Sequence, residues 1–203
     1  MGEFPTVVLD ALRQPLEEGQ IRVSRARGST TFPARFIMVG AMNPCPCGDG
    51  GAPGACRCSE SARERYARRL SGPLLDRFDI AIRVDPPQVD ELMGGSRAEP
   101  TALVAGRVAR ARRSAAERGV TVNAEIAGSE LDRMIPLDSA ATTLVERQVR
   151  RGALSARGLH RIRRLAGTIA DLDGVEGPVG EPQIREALVL RCQRALLLGT
   201  ECR

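Results

Sequence analysis

Hydrophobic spacing divides the chain into two textures. Val8, Leu9, Leu12 and Leu16 recur at helical intervals over residues 2–16, with Pro15 expected to end that helix early. Glu17-Glu18-Gly19 then reads as a turn. Residues 20–24 alternate around Ile21 and Val23 as a half-buried strand does, residues 25–29 make a hairpin tip, and the chain returns through Phe32. Phe36-Ile37-Met38-Val39-Gly40-Ala41 is apolar almost throughout, which predicts a central strand buried on both faces of a parallel sheet. Asn43-Pro44 closes that run, and a cysteine-rich loop over residues 43–58 follows. Residues 59–70 predict a charged helix. Ser71-Gly72-Pro73 supplies a cap and a first-turn proline for a short helix through Leu75 and Arg77. Ile80, Ile82 and Val84 predict one more strand, ended by Asp85-Pro86-Pro87.

Beyond residue 88 the period changes. Met93-Gly94-Gly95-Ser96 is linker-like, and then Val104, Val108, Ala111 and Ala115 trace one helix face. Leu144 and Val145 mark a second helix. Leu159, Ile162, Ala166 and Ile169 mark a third, with Ser155 at its cap. Ile184, Leu188, Cys192 and Ala195 mark a fourth, with Pro182 at its start. The fold class this predicts is an α/β segment over residues 1–95 followed by an all-α bundle over residues 96–203.

Composition sharpens this picture. With 2% aromatic residues and no Trp, the core has to be aliphatic, which favours helical packing. No apolar run approaches the roughly 18 residues of a membrane span and no signal peptide opens the chain, so the reading is a cytoplasmic protein with no membrane partner. The formal charge is +5, and all 30 basic residues are Arg. Without a single Lys, the phosphate-binding loop G-x-x-x-x-G-K-[ST] is excluded from this chain.

Four of the six cysteines lie within residues 45–58, as Cys45-Pro-Cys47, eight residues, then Cys56-Arg-Cys58. Gly48, Gly50, Gly51 and Gly54 let such a loop fold back, so the four thiolates can make a structural tetrahedral zinc site. The alternatives are reduced free thiols or a redox pair. Cys192 reads as core and Cys202 as part of a fraying tail. Asn43 is either a turn residue or a polar amide at the carboxyl end of a sheet strand, where ligands of open α/β folds bind. Arg77 is either one member of a surface charge cluster with Asp76 and Asp79, or an arginine presented to a neighbour's nucleotide. Arg157 is a further charge on an Arg-rich helix, or a cation at a helix N-terminus suited to phosphate. The lone His160, among Arg161, Arg163 and Arg164, reads as structural.

Taken in order, several segments closely resemble the ComM/YifB family of magnesium-chelatase-like AAA+ ATPases. They are Phe4, Leu12-Arg13-Gln14-Pro15-Leu16-Glu17, Asn43-Pro44-Cys45-Pro46-Cys47-Gly48, Leu74-Leu75-Asp76-Arg77-Phe78-Asp79, Leu154 through Arg161, and Ile169-Ala170-Asp171-Leu172. The resemblance implies the C-terminal portion of an AAA+ core followed by its helical lid. By the same analogy Asn43 stands at the sensor-1 position, Arg77 at the arginine finger, and Arg157 at the nucleotide-binding sensor 2. Arg25 and Arg27 stand where related motors carry a pore hairpin that contacts nucleic acid.

In that family the Asp-Glu pair that holds Mg²⁺ comes just ahead of the position of Gly2. The expectation is therefore a fragment, possibly monomeric, unable to hydrolyse ATP alone. ATP and Mg²⁺ belong to the parent protein, expected to be a hexameric, ring-forming DNA motor, a helicase acting in branch migration. Two other readings stay open: the ATPase subunit of a magnesium chelatase, and a zinc-stabilised nucleic-acid-binding module.

Overall fold

The structure, a computed structural model, describes residues 1–49, 56–70, 72–85, 87, 89, 93 and 99–191. It divides into two compact units, the first built on Met1–Asp85 and the second on Pro86–Arg191. Gly94, Gly95 and Ser96 of the expected linker lie outside the described residues, as do Ser71, Cys192, Ala195 and Cys202.

In the first unit the helix expected over residues 2–16 forms as two, α1 (Thr6–Ala11) and α2 (Arg13–Glu18), meeting at Leu12. Pro15 does not stop the chain, contrary to the expectation. It falls in the first turn of α2, where backbone N–H groups have no intrahelical acceptor and a missing donor costs nothing. Gly19 ends α2 in the left-handed region (φ 64°) and donates its N–H to Pro15 O at 2.9 Å. The chain then enters an antiparallel hairpin, β1 (Gln20–Arg25) and β2 (Gly28–Pro33). Ile21 pairs with Phe32, Val23 with Thr30 and Arg25 with Gly28, leaving Ala26 and Arg27 as the two-residue tip.

The strands expected over residues 36–41 and 80–84 are not formed. Both segments are irregular, and among the described residues β1 and β2 are the only paired strands. Ile37 is 83% exposed, Val39 91% and Val84 82%. An apolar run specifies what a strand buries, but its ladder and its covered faces come from neighbouring strands and helices. None of the described residues supplies them here.

Among the described residues of this unit two further helices form. In α3 (Glu60–Ala67) the Ser59 hydroxyl caps the N-terminus by accepting the Ala62 N–H at 3.3 Å, and α4 (Gly72–Leu75) is a single turn. Leu9, Leu70 and Leu74 form a small buried cluster, packed by Leu12, Leu16, Met42, Leu75 and Phe78.

The second unit is helical: α5 (Thr101–Glu117), α6 (Leu131–Met134), α7 (Ser139–Arg150), α8 (Ala156–Asp173) and α9 (Glu181–Leu190). The caps are local chemistry. Asp138 accepts the Ala141 N–H at 2.7 Å, Ser155 accepts the Gly158 N–H at 3.1 Å, and Gly174 (φ 72°) closes α8. One continuous core joins Ile162, Ala166, Ile169 and Ala170 of α8 to Leu144 and Val145 of α7 and to Ile184 and Ala187 of α9. Gly167 allows a close approach, since a Cβ there would lie 2.5 Å from Ile135 Cδ1. Of the face expected on α5 only Ala115 is buried, while Val104 and Val108 are exposed.

Polar groups lock the surroundings of α8. Asn123, almost fully buried, donates to Asp171 Oδ2 at 2.8 Å and to Thr168 Oγ1 at 3.1 Å, while accepting from Arg118 at 2.9 Å. Arg118 also pairs with Asp171. No helix among the described residues is long and apolar enough to cross a membrane.

Ile162 has no exposed surface and Leu103 is 60% exposed. Ile162→Ala is therefore expected to destabilise the second unit by about 3 kcal/mol, and Leu103→Ala by no more than about 0.5 kcal/mol. Urea unfolding followed by far-ultraviolet circular dichroism measures both.

Candidate metal centre and phosphate-site residues

The segment after Met42 turns on itself through sulfur and glycine. Gly48, at φ 88°, donates its N–H to Cys45 O at 3.1 Å, closing a tight turn that a side chain would strain. This brings Cys45 Sγ to 3.2 Å from Cys47 Sγ and 3.7 Å from Cys56 Sγ, with Cys47 and Cys56 sulfurs 3.8 Å apart. All four sulfurs, Cys58 included, lie within 4.8 Å of one another. In a tetrahedral thiolate site with metal–sulfur bonds of about 2.3 Å the sulfurs stand about 3.8 Å apart. The loop is close to that arrangement and can hold a metal ion.

The four thiols are not equivalent. Cys45 is buried, Cys47 is exposed, and Cys56 and Cys58 lie between. A hydrogen bond from the Asp49 backbone, reinforced by the Cys45 and Cys58 thiols, lowers Cys47 to about 6. Cys58 is pushed up to about 12, chiefly by its hydrogen bond to Cys47, where it keeps its proton while Cys47 is a thiolate. The lowering at Cys47 favours the thiolate, the form that binds metal.

Asn43, two residues before Cys45, is exposed. It lines a shallow cavity of about 220 Å³ with Met1, Gly2, Glu3, Ala41, Met42 and Tyr66. The Met1 amino group donates to Ala41 O at 2.6 Å, and Arg69 approaches the Tyr66 ring at 5.9 Å. Burial first, and the Glu3 carboxylate second, raise the Tyr66 hydroxyl above its ordinary value.

Arg77 follows α4 and is turned inward. Its Nε donates to Arg13 O at 3.1 Å, and its two terminal nitrogens reach Pro73 O and the Glu17 carboxylate. Its side chain is 15% exposed. Arg25, the last residue of β1, and Arg27, in the tip, are both exposed. Arg157 belongs to the second unit, exposed at the second position of α8 directly after the Ser155 cap. His160 packs on Gly128, where a Cβ would meet its ring at 2.5 Å.

The four cysteines therefore converge, and Asn43 shares their loop. Arg77 is held elsewhere in the same unit, by α2. Sequence reasoning missed Glu17 and the carbonyls of Arg13 and Pro73 as the acceptors of Arg77. Glu17 lies 60 positions away, so no spacing rule could have paired them.

Residues 1–92 match the sequence family described as "Magnesium chelatase, subunit ChlI", and residues 98–191 match "Magnesium chelatase, subunit ChlI C-terminal". The chain belongs to the magnesium-chelatase-like family. Within that family it is similar to Competence protein ComM of Haemophilus influenzae, 42% identical over 198 residues, covering 97% of this chain and 38% of the relative. An uncharacterized protein of Mycobacterium tuberculosis is 41% identical, covering 94% of the chain and 38% of the relative. YifB of Escherichia coli is 36% identical over 202 residues, covering 98% of the chain and 39% of the relative. The chain thus spans well under half the length of these relatives.

Two outcomes are expected for the cysteine loop. Co²⁺ added to the reduced chain produces thiolate-to-cobalt absorption at one equivalent, and Cys45→Ser removes it. In the metal-free chain, alkylation of Cys47 increases as pH rises through about 6, while Cys58 stays slow at pH 8, resolved by peptide mass spectrometry.

Proposed function

We propose that the chain is the sensor and arginine-finger portion of an AAA+ ATPase that assembles as a homo-oligomeric ring and moves along DNA. The observation that carries the reading is the match of both halves, in order, to the two magnesium chelatase sequence families, and the resemblance of Leu74-Leu75-Asp76-Arg77-Phe78-Asp79 to the family's finger motif supports it. ATP is the substrate of this reaction, and its phosphoryl transfer needs positive charge at the transferring group. Arg77 supplies that charge to a neighbouring subunit, and its planar fork suits phosphate oxygens. Asn43, an exposed amide, orients water or senses the terminal phosphate. Arg157 provides the sensor-2 cation, with the N-terminal dipole of α8 favouring the same anion. Mg²⁺ is assigned to no residue of this chain.

Arg25 and Arg27 contact nucleic-acid phosphates from the hairpin tip, without reading sequence. The resemblance to ComM supports branched DNA as the substrate structure and recombination as the setting. Zn²⁺ at Cys45, Cys47, Cys56 and Cys58 is structural, since four protein sulfurs leave no open coordination position. Held there, it fixes the loop that presents Asn43.

A second reading is favoured by the family description itself: the ATPase subunit of a magnesium chelatase, driving metal insertion into a porphyrin.

The test is ATPase activity of a chain extended upstream to include a phosphate loop, with and without branched DNA. DNA is expected to stimulate hydrolysis, and Arg77→Ala to lower it about a thousandfold. Hydrolysis indifferent to DNA points to the chelatase reading. Hydrolysis indifferent to Arg77 removes the shared-site mechanism.

A further inference from the structure

Each of the three nitrogens of the Arg77 guanidinium has an acceptor inside its own unit. Its Nε is held by Arg13 O, and its outer nitrogens by Pro73 O and Glu17. Two of these acceptors, Arg13 O and the Glu17 carboxylate, belong to α2, and the third opens α4. Of the three, only Glu17 carries a charge, and it is 34% exposed against 15% for Arg77. It is therefore the one charged acceptor of the cage, and it stands more open to solvent than the guanidinium it holds. Glu17 accepts from one terminal nitrogen of Arg77, and a phosphate oxygen can accept a charge-assisted hydrogen bond from that same nitrogen, so the two compete for it.

We infer that Glu17 is a positioning residue that holds Arg77 in reserve and yields it to a nucleotide phosphate by exchange of acceptors. This rests on the reading of Arg77 as an arginine finger. A second consequence comes from chain order. Glu17 is followed by Glu18 and then Gly19, whose left-handed backbone (φ 64°) turns directly into β1. The pair that cages Arg77 therefore also fastens the end of α2 at the base of the Arg25–Arg27 hairpin. Release of Glu17 on phosphate arrival loosens that base, so nucleotide contact and hairpin movement draw on the same bond. Two states of one guanidinium, on carboxylate or on phosphate, make the switch that such coupling requires.

An ordinary surface ion pair contributes little and couples to nothing. The experiment separates the two cases, beginning with the chain itself. Phenylglyoxal modification of Arg77, followed by peptide mass spectrometry, is expected to be about three- to fivefold faster in Glu17→Gln, the scale of one half-exposed ion pair. Glu18→Gln serves as the control, because Glu18 bonds Gln14 instead. Thermal unfolding shows whether the variant is folded. An unchanged Arg77 rate in folded Glu17→Gln overturns the inference.

The second arm uses the upstream-extended protein and the ATP concentration at half-maximal assembly, read by sedimentation velocity. Glu17→Gln is expected to lower it about three- to fivefold when Arg77 is present and to leave it unchanged in an Arg77→Ala background. An equal shift in both backgrounds overturns the exchange while leaving the finger intact. Full ATPase activity in Arg77→Ala alone overturns the finger reading instead.

Discussion

The guanidinium of Arg77 is the joint of the first unit. Leu9, Leu70 and Leu74 form a buried cluster too small to determine by itself how α2, α4 and the hairpin are arranged. Directional bonds do that work. Arg77 ties both ends of α2, at Arg13 O and the Glu17 carboxylate, to Pro73 of α4. Arg69 reaches back to Gly2 O. A unit organised by such contacts is specific in geometry and modest in apolar burial, which suits an element whose charged groups change partners.

The second unit follows the opposite logic. Its core is continuous and aliphatic, α8 runs through it, and buried polar bonds join Arg118, Asn123, Thr168 and Asp171 on one side and Arg163 to Ile135 O and Asp132 on another. Arg157 stands at the second position of this packed helix, which fixes the backbone from which its exposed side chain extends. The cysteine loop differs again, gathering four sulfurs close enough to hold one ion. Packing thus places the backbone of Arg157, while an ion pair holds Arg77.

Four helices of the second unit were legible because each carries its own information, whereas the single turn α6 was not read. Ser155 caps α8 where it stands, Pro182 falls at the start of α9, and Ile162, Ala166 and Ile169 repeat at the helical period. The hairpin around Arg25 and Arg27 was legible for the same local reasons. Residues 36–41 and 80–84 were misread because an apolar run reports only a demand for burial, and the partners that meet it are nonlocal. Pro15 was misread because its effect depends on where a helix begins. The cysteine cluster was visible from spacing, whereas the Glu17–Arg77 pair depends on how α2 and α4 fold against each other and left no mark on the sequence.

The account stands on Arg77 acting across a subunit boundary, and complementation tests this most directly. Subunits with a disabled phosphate loop but intact Arg77 are mixed with Arg77→Ala subunits whose phosphate loop works, both in the upstream-extended protein. Neither alone has a complete site. Recovery of ATP hydrolysis on mixing, rising with the proportion of mixed neighbours, is the predicted result. Mixtures that remain as inactive as their components, although assembled into one ring, would contradict it.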